Sequence, residues 1–416
     1  MVTAFAFQAV LVVSGVLVAR LLGVEDRGHL ALLVLIPTVL SQLGGLGLPL
    51  AATFHIARAP GTAGAVMRSL SAPALAQAAA LTSVHALVLL AVLPGEGSAV
   101  QLAGALSLGL VPGLLAYEYG QAFLQGQRRF RAFNVLRLLP QALYSLAVLA
   151  LFLLGVDSLP VVVSAWALSV GVLGAVAAVI AARGTPEATA DPPPGRRRML
   201  GFGLRGILGA ASPSESLRID QAVVGLFLTP AALGLYVVGL ALSNLPRFIG
   251  QAIGTVAFPQ VASQPSPDAA RRSMWRLVAL AVALSAAVVA ALEVLAGRLV
   301  PLFFGDEFED AAPLARILLL AALLLSARRV LTDAARGAGY VSLGNLGEAV
   351  SWTVLVPAVA ILAPMSGARG VALALTISAA SSLAAMVAAV ALRAPRPEPV
   401  AEPATRLEDS VPVEGS

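Results

Sequence analysis

The sequence is a succession of long apolar runs, each close to the roughly 20 residues that an α-helix needs to cross a bilayer. Glycine, proline or charged residues bound the runs, and the loops between them are short. This pattern predicts an all-α polytopic membrane protein with about 12 transmembrane helices. The runs form two blocks, at 3–22, 30–54, 70–93, 99–124, 135–155 and 159–182 and, after a polar gap, at 200–228, 231–257, 275–297, 313–334, 344–362 and 370–392.

Composition supports this class and excludes several others. Hydrophobic residues make up 58% of the chain and charged residues 12%, whereas soluble domains carry about 25% charged residues. The net charge of +5 comes from arginines that lie singly or in short clusters, without the basic, aromatic-interleaved face of a nucleic-acid-binding protein, so no nucleic-acid partner is expected. The absence of Lys and Cys excludes a P-loop lysine, a Schiff-base lysine, a thiolate nucleophile and a Cys-ligated metal.

The arginines are distributed unevenly between alternate loops, which predicts the orientation of the chain. Cytoplasmic loops retain arginine, whereas translocated loops do not. One set of loops holds only Arg20, Arg27, Arg298 and Arg369, with the acidic segment Gly305 to Asp310. Both termini are therefore expected on the cytoplasmic side of a bacterial cell (inner) membrane. The arginine-rich set holds Arg58, Arg68, Arg128, Arg129, Arg131, Arg183, Arg196, Arg197, Arg198, Arg271, Arg272, Arg276, Arg328, Arg329 and Arg336.

The two blocks of runs predict two matched lobes. The segment "ARLLGVEDRGHLALLVL" passes from an apolar helix through a short turn to Gly28 and a new helix, and "GLFLTPAALGLYVVGLAL" does the same with Gly234. Both halves begin on the same side of the membrane, so we expect a parallel repeat with its axis along the membrane normal. The predicted parts are an N-terminal six-helix lobe at 1–183, a cytoplasmic linker at 184–199, a C-terminal six-helix lobe at 200–393 and a disordered cytoplasmic tail at 394–416.

The first run, Met1 to Leu22, lacks the basic region of a secretory signal and is long enough to span, so it is predicted as the first helix. Motifs of enzyme sites are missing from the chain, which has no GxxxxGK[ST], HExxH or GxSxG sequence and no Cys/His metal spacing. No loop is long enough to form an extramembrane domain. We therefore predict a transporter and not an enzyme, with no cofactor and no metal.

Charged residues inside the predicted crossings are the candidates for function. Each costs about 2.5–3.5 kcal/mol at the bilayer centre, so it normally faces a partner or a water-filled cavity. On the seventh crossing, Glu215 and Arg218 are three residues apart and are expected to pair on one helix face, whereas Asp220 points away from them. Pro213 is expected to bend this helix. The three charges are interpreted either as contacts that hold the bundle together or as the lining of a cavity.

Two polar stripes are further candidates for a cleft. The eighth crossing carries Asn244, Arg247 and Gln251 at helical spacing, and the fourth carries Tyr117, Glu118, Gln121 and Gln125. Glu293 and Glu348 are also placed within crossings. We take the two stripes as candidate walls of one polar cleft.

Three segments, in this order, resemble the polysaccharide (O-antigen type) flippases of the multidrug/oligosaccharidyl-lipid/polysaccharide exporter superfamily. They are "ARLLGVEDRG", "SLRIDQAVVGLFLTPAALGLY" and "LVPLFFGDEFEDAAPLARIL". The resemblance implies a MATE-like fold, a V-shaped pair of pseudo-symmetric six-helix bundles. It also implies that the protein moves an undecaprenyl-pyrophosphate-linked glycan from the inner to the outer leaflet by alternating access.

The chemistry of that substrate assigns roles to the candidate residues. A pyrophosphate cannot cross hydrocarbon unaided, and arginine suits bidentate phosphate contacts. We therefore expect Arg218 and Arg247 to bind the phosphates, with Glu215, Asp220 and Glu118 holding the arginines, bonding to sugars or coupling to H⁺ or Na⁺. The protein is expected to act as a monomer among membrane lipids.

Other functions stay open. Lipid II flippases of the same superfamily carry arginines on the first two helices, where this chain has Gln8, Ser14 and Gln42. Cation-coupled multidrug exporters often carry an acid on the first helix, and this chain has none before Glu25. Multidrug export is kept as the alternative, together with a non-transporting membrane scaffold for envelope assembly, in which the intramembrane charges only hold helices together.

Overall fold

The computed structural model describes residues 2–183, 195–210, 212–213, 217–340 and 342–392, and within them the chain is all-helical. Two short 3-10 turns, Pro60–Thr62 and Asp306–Phe308, interrupt the series. The helices are α1 (Val2–Gly44), α2 (Leu48–Arg58), α3 (Ala63–Val92), α4 (Ser98–Ser107), α5 (Leu110–Gly126), α6 (Phe130–Leu154), α7 (Leu159–Arg183), α8 (Arg196–Ala210), α9 (Ile219–Phe227), α10 (Pro230–Ala262), α11 (Pro267–Phe304), α12 (Ala311–Gly337) and α13 (Leu343–Leu392).

The predicted series of crossings is present, although two helices each contain two of them. By length and composition, 7 helices of the described residues are apolar enough to cross a membrane, or 8 if the bent pair of α1 and α2 is one span. Helix α1 turns sharply at Gly23 (φ 75°) and α13 at Gly367 (φ 57°), backbone angles that only glycine adopts without strain. Because of these two turns, α1 and α13 each contribute to two crossings. Helix α12 and the pair of α8 and α9 are the remaining crossings.

The seventh crossing is interrupted, where the sequence predicted one continuous run at 200–228. Helix α8 ends at Ala210, α9 begins at Ile219, and Arg218 just before it has a left-handed backbone (φ 47°). The bend expected from Pro213 is thus a full break. At its other end α8 begins at Arg196, inside the predicted linker at 184–199. Residues 184–194 of that linker and the predicted tail at 394–416 lie outside the described residues.

Small residues let the helices approach closely, as in other membrane bundles. Helices α5 and α7 meet where a Cβ on Gly120 would lie 2.6 Å from the Ala177 Cβ. In the second half, a Cβ on Gly239 would lie 3.2 Å from the backbone nitrogen of Ala315, which brings α10 against α12. The buried apolar residues accordingly form separate clusters in α2, α3, α5, α6 and α7 and in α10, α12 and α13.

Two backbone contacts join the halves at opposite ends of the bundle. In the first, a Cβ on Gly28 would collide with the carbonyl oxygen of Pro230, and one on Gly234 with that of Val24. Gly28 and Gly234 are the glycines that the repeat predicted to be equivalent, and equivalent residues meet where a two-fold axis passes between them. We call this crossing the turn-end contact; Arg20 on α1 strengthens it by donating to the carbonyl oxygen of Phe303 (2.6 Å).

The second contact lies toward the end of the bundle where α7 finishes and α8 begins, and we call it the linker-end contact. A Cβ on Gly203 of α8 would lie 2.5 Å from the carbonyl oxygen of Leu46, and one on Gly47 would collide with the carbonyl of Gly203. One turn further, the rings of Phe54 and Phe202 stack with centroids 4.5 Å apart. The halves therefore touch at two levels, and the space between these levels is enclosed by both.

Candidate functional site: a cavity between the halves

A cavity of about 800 Å³ lies between the two halves. Helices α1, α6 and α7 form one wall, and α9, α10, α12 and α13 form the other. Apolar side chains such as Leu30, Val34 and Leu240 line part of the surface. The polar side chains in the walls are Ser14, Arg27, Thr38, Gln141, Tyr144 and Trp166 of the first half and Arg218, Asp220, Gln221, Asn244, Arg247, Gln251, Ser326 and Arg329 of the second.

The first-half wall presents hydrogen-bond donors that have no acceptor. Arg27 lies just after the turn at Gly23, and its Nε is buried without a hydrogen-bond partner in the described part of the chain. The same is true of Nε1 of Trp166, whose ring contacts Tyr144 edge-on at 5.1 Å. Both groups only donate, so they can be satisfied only by an acceptor within the cavity. This wall therefore suits a ligand rich in oxygen atoms.

The second-half wall is built on the break in the seventh crossing. Arg218 lies at the break and Asp220 in the first turn of α9, and both side chains line the cavity. Asp220 is 2% exposed and accepts a hydrogen bond from the Tyr236 hydroxyl at 2.9 Å. Arg218 and Arg247 both interact electrostatically with this carboxylate. The Asp220 carboxylate thus lies within electrostatic reach of two arginines of the same wall.

The charge that lines the cavity is positive overall among the described residues. Four arginines reach it, and Asp220 is the acidic residue in its lining. Arg329 is already paired with Asp333, whose carboxylate lies 2.8 Å from the arginine Nε. Even without Arg329, the three arginines Arg27, Arg218 and Arg247 outnumber the carboxylate in the described lining, and a cavity of this kind favours an anion.

The structure brings together three of the five predicted site residues. Arg218, Asp220 and Arg247 line the cavity, and so do the predicted neighbours Asn244 and Gln251. Glu215 lies outside the described residues. Its expected pairing with Arg218 on one helix face does not follow from the structure, because Arg218 is left-handed and precedes α9.

Glu118 lies elsewhere. Helix α5 contributes Leu114 to the cavity, whereas the polar stripe predicted further along this helix is not part of the described lining. The Tyr117 hydroxyl donates to the carbonyl of Leu136 at 3.3 Å, and the Glu118 carboxylate lies beside Gly45 at the break between α1 and α2. The expectation that the fourth and eighth crossings wall one cleft is therefore wrong for the fourth.

Arg27 is one of the cavity residues that the sequence analysis missed. The turn was placed at Gly28, so Arg27 was assigned to a loop, whereas the chain turns at Gly23 and Arg27 belongs to the following helical segment. The signal was present, because Gly23 precedes the charged segment and glycine is the residue that a left-handed turn requires.

Other intramembrane charges hold helices together. Arg328, assigned from the sequence to a loop, is buried within α12. Its guanidinium donates to Glu348 (3.0 Å) and Ser351 (2.8 Å) of α13. Glu293 lies near Arg316, which donates to its backbone carbonyl. These groups do not line the cavity.

Comparison with known proteins agrees with this architecture. Residues 17–313 match the family described as polysaccharide biosynthesis protein. The chain belongs to this family. No curated protein sequence matches it at a significant level.

Solved structures of similar fold are transporters. A lipid II flippase, MurJ, in an inward closed conformation superposes with a TM-score of 0.72 over 94% of this chain and 87% of its own, at 10% identity. An inward-facing multidrug resistance MATE family transporter of the MOP superfamily gives 0.66 over 92% and 94%, at 18% identity. Its outward-facing counterpart gives 0.56 over 93% and 92%, at 16% identity. The chain therefore has the MATE-like fold that the family resemblance implied.

Proposed function

We propose that this family member is a flippase that carries a polyprenyl-pyrophosphate-linked glycan through the cavity between its halves. The observation that carries the proposal is a net positive cavity between the halves, with unsatisfied donors at Arg27 and Trp166 among the described residues. Membership of a polysaccharide biosynthesis family supports a glycan as cargo. The fold is shared with a lipid II flippase and with multidrug transporters, so the lining of the cavity is what favours one substrate class over another.

Each part of the proposed substrate has a matching part of the site. The pyrophosphate would be bound by Arg27, Arg218 and Arg247, because guanidinium groups form paired, charge-assisted hydrogen bonds to phosphate oxygens. Gln141, Gln221 and Asn244 offer amide groups that both donate to and accept from sugar hydroxyls. The polyprenyl tail would stay in lipid. Since one chain supplies both walls, we expect a monomer to be sufficient.

The two inter-half contacts provide the means of alternating access. Opening the linker-end contact while the turn-end contact stays closed would admit the head group from one side, and the reverse would release it. We propose that the linker end faces the cytoplasm, because the loops on that side hold the excess of arginine. Transfer would then run from the inner to the outer leaflet of the bacterial cell membrane, with both termini cytoplasmic.

A cationic drug is a poorer fit for this cavity. Arg27, Arg218 and Arg247 would repel it, and they outnumber Asp220, the carboxylate in the described lining. A scaffold without transport would not need a polar cavity between its halves whose donors are unsatisfied. The flippase is therefore the function that the geometry favours.

Reconstitution in vesicles with a fluorescent polyprenyl-pyrophosphate glycan tests the proposal. Leaflet transfer should be faster with the protein than in empty vesicles, and Arg218→Ala or Arg247→Ala should slow it by about tenfold or more, the effect of losing one charge-assisted contact. Arg272→Ala, on the exposed start of α11, is the matched control and should transfer normally. Transfer no faster than in empty vesicles would overturn the proposal, and accumulation of a cationic dye instead would favour drug export.

A further inference from the structure

Positive charge from both halves meets at the linker-end contact, outside the cavity. Arg58 is the last residue of α2, and Arg196, Arg197 and Arg198 form the start of α8. His55 of α2 interacts electrostatically with Arg198 and with Arg58, so arginines of opposite halves lie near one imidazole. None of these groups belongs to the described lining of the cavity.

Aromatic rings hold the charged groups at this contact. The rings of Phe54 and Phe202 stack across it, and the His55 ring lies 6.1 Å from that of Phe202. The Arg58 guanidinium lies over the Phe54 ring, 5.6 Å from its centroid. Arg198 precedes Phe202 by four residues on α8, so the two share a face of that helix. The stacked pair therefore brings Arg58 of the first half and Arg198 of the second to the same junction.

The described residues supply no negative charge to this junction. Residues 46–75 and 195–210 contain no Asp or Glu, and no carboxylate of the described chain forms an ion pair with Arg58 or Arg198. Nε2 of His55 is buried without a hydrogen-bond partner among the same residues. The amino end of a helix favours negative charge, yet the first turn of α8 holds three arginines and no acidic residue.

The orientation of the chain explains only part of this pattern. An excess of arginine is expected in loops on the cytoplasmic side. That rule does not require arginines of both halves to converge on a closed contact, where like charges oppose association. An anion held between them would remove this cost.

Apolar side chains beside the arginines favour a lipid over a free anion. Leu50 and Phe54 of α2 and Leu204 of α8 are 49%, 37% and 41% exposed. The contact lies at the ends of crossing helices, which is the depth of the lipid head groups. Basic clusters at this depth bind the phosphates of anionic lipids, whose acyl chains stay in the hydrocarbon. A free phosphate ion would make no use of the apolar side chains.

We propose that Arg58, Arg198 and His55 form a binding site for the phosphate of an anionic phospholipid, which bridges the two halves and stabilises the closed linker-end contact. The arginines donate charge-assisted hydrogen bonds to the phosphate oxygens, and Nε2 of His55 adds a further donor. A zwitterionic lipid binds less well, because its own cationic group opposes the arginines. The site lies outside the cavity and makes no demand on the cargo, so its failure would leave the proposed flippase function untouched.

The first test is the unfolding temperature of the purified full chain in a neutral detergent. Short-chain phosphatidylglycerol should raise it by about 2–5 °C, whereas short-chain phosphatidylcholine and inorganic phosphate should not. Arg58→Gln and Arg198→Gln, at exposed positions, should each reduce the rise by at least half and together abolish it. Arg131→Gln, at the exposed start of α6 on the same end of the bundle, is the matched control and should respond like the wild type.

A second arm separates the phospholipid from the cargo, which also carries phosphate. Polyprenyl pyrophosphate is titrated into Arg218→Glu, in which the cavity site is weakened. A rise in unfolding temperature that disappears when Arg58→Gln and Arg198→Gln are added, without any rise from phosphatidylglycerol, would assign the junction to the cargo and overturn the proposal.

Labelling measures the effect on the contact itself. The chain has no native Cys, so a cysteine introduced at Asn244 reports access to the cavity. Adding phosphatidylglycerol to phosphatidylcholine vesicles should slow its labelling from the linker side by about fivefold or more. The variant with both Arg58→Gln and Arg198→Gln should show no such change; if it does not fold, the two single variants decide the matter.

Three outcomes would contradict the phospholipid site. One is an equal response of the wild type to phosphatidylglycerol and phosphatidylcholine, and another is a response that survives loss of both arginines. The third is a response that appears only after Glu187→Gln and Asp191→Asn remove the acidic residues of the linker, because the linker would then be the anionic partner of the arginines.

Discussion

Two interrupted crossings of this protein differ in the charge that lies at the break. At the break between α1 and α2, the carbonyl end of a helix meets Glu118. At the break between α8 and α9, the start of a helix meets Arg218, which lines the cavity. Helix carbonyl ends favour cations and helix amino ends favour anions. At each break the side chain and the helix end beside it therefore favour an ion of the same sign, and the break that favours an anion is the one that lines the cavity.

The largest expected effect is on anion binding at the break between α8 and α9. Arg218→Glu should weaken binding of inorganic pyrophosphate by more than about 100-fold, because it removes charge-assisted hydrogen bonds and adds a repulsive carboxylate. Isothermal titration of the purified protein measures this, with Arg272→Glu as the control for a surface charge reversal. Pyrophosphate affinity that is unchanged in Arg218→Glu would contradict a role for Arg218 in anion binding.

The next effect concerns the turn-end contact. Gly234→Ala introduces a Cβ that collides with the Val24 carbonyl, so this contact should open at a cost of about 1–3 kcal/mol, which shifts the equilibrium by roughly 5- to 150-fold. The chain has no native Cys, so labelling of a cysteine introduced at Asn244 by an impermeant maleimide reports the opening cleanly. Gly171→Ala, where a Cβ meets no atom within 4 Å, is the control. Unchanged labelling in Gly234→Ala would contradict a role for this contact in closure.

The helices themselves were predictable, because an apolar run of bilayer length favours a membrane-spanning helix over other structures. Chain reversals were harder to place. The polar segment Val24 to Gly28 looked like a loop, yet it is helical: Arg27 lines the cavity, Asp26 lies against His29, and Glu25 is exposed. This is why the sequence assigned Arg27 to the wrong environment.

The candidate site was predictable only on one wall. Helical spacing shows which side chains share a face, and for Asn244, Arg247 and Gln251 that face does meet the cavity. The same spacing on α5 also showed which side chains share a face. The predicted position of that face at the cleft was wrong, because periodicity does not say which helix a face meets. The sequence therefore placed Glu118 in the cavity, whereas its carboxylate lies beside Gly45 at the break between α1 and α2.

A smaller effect is expected at the linker-end contact. Phe202→Ala removes the ring that stacks on Phe54, and such pairs contribute about 0.5–1.5 kcal/mol. Labelling of the Asn244 cysteine from the linker side should rise by about 2- to 12-fold, with access from the turn side unchanged. Increased access from both sides would mean that the two contacts do not open independently.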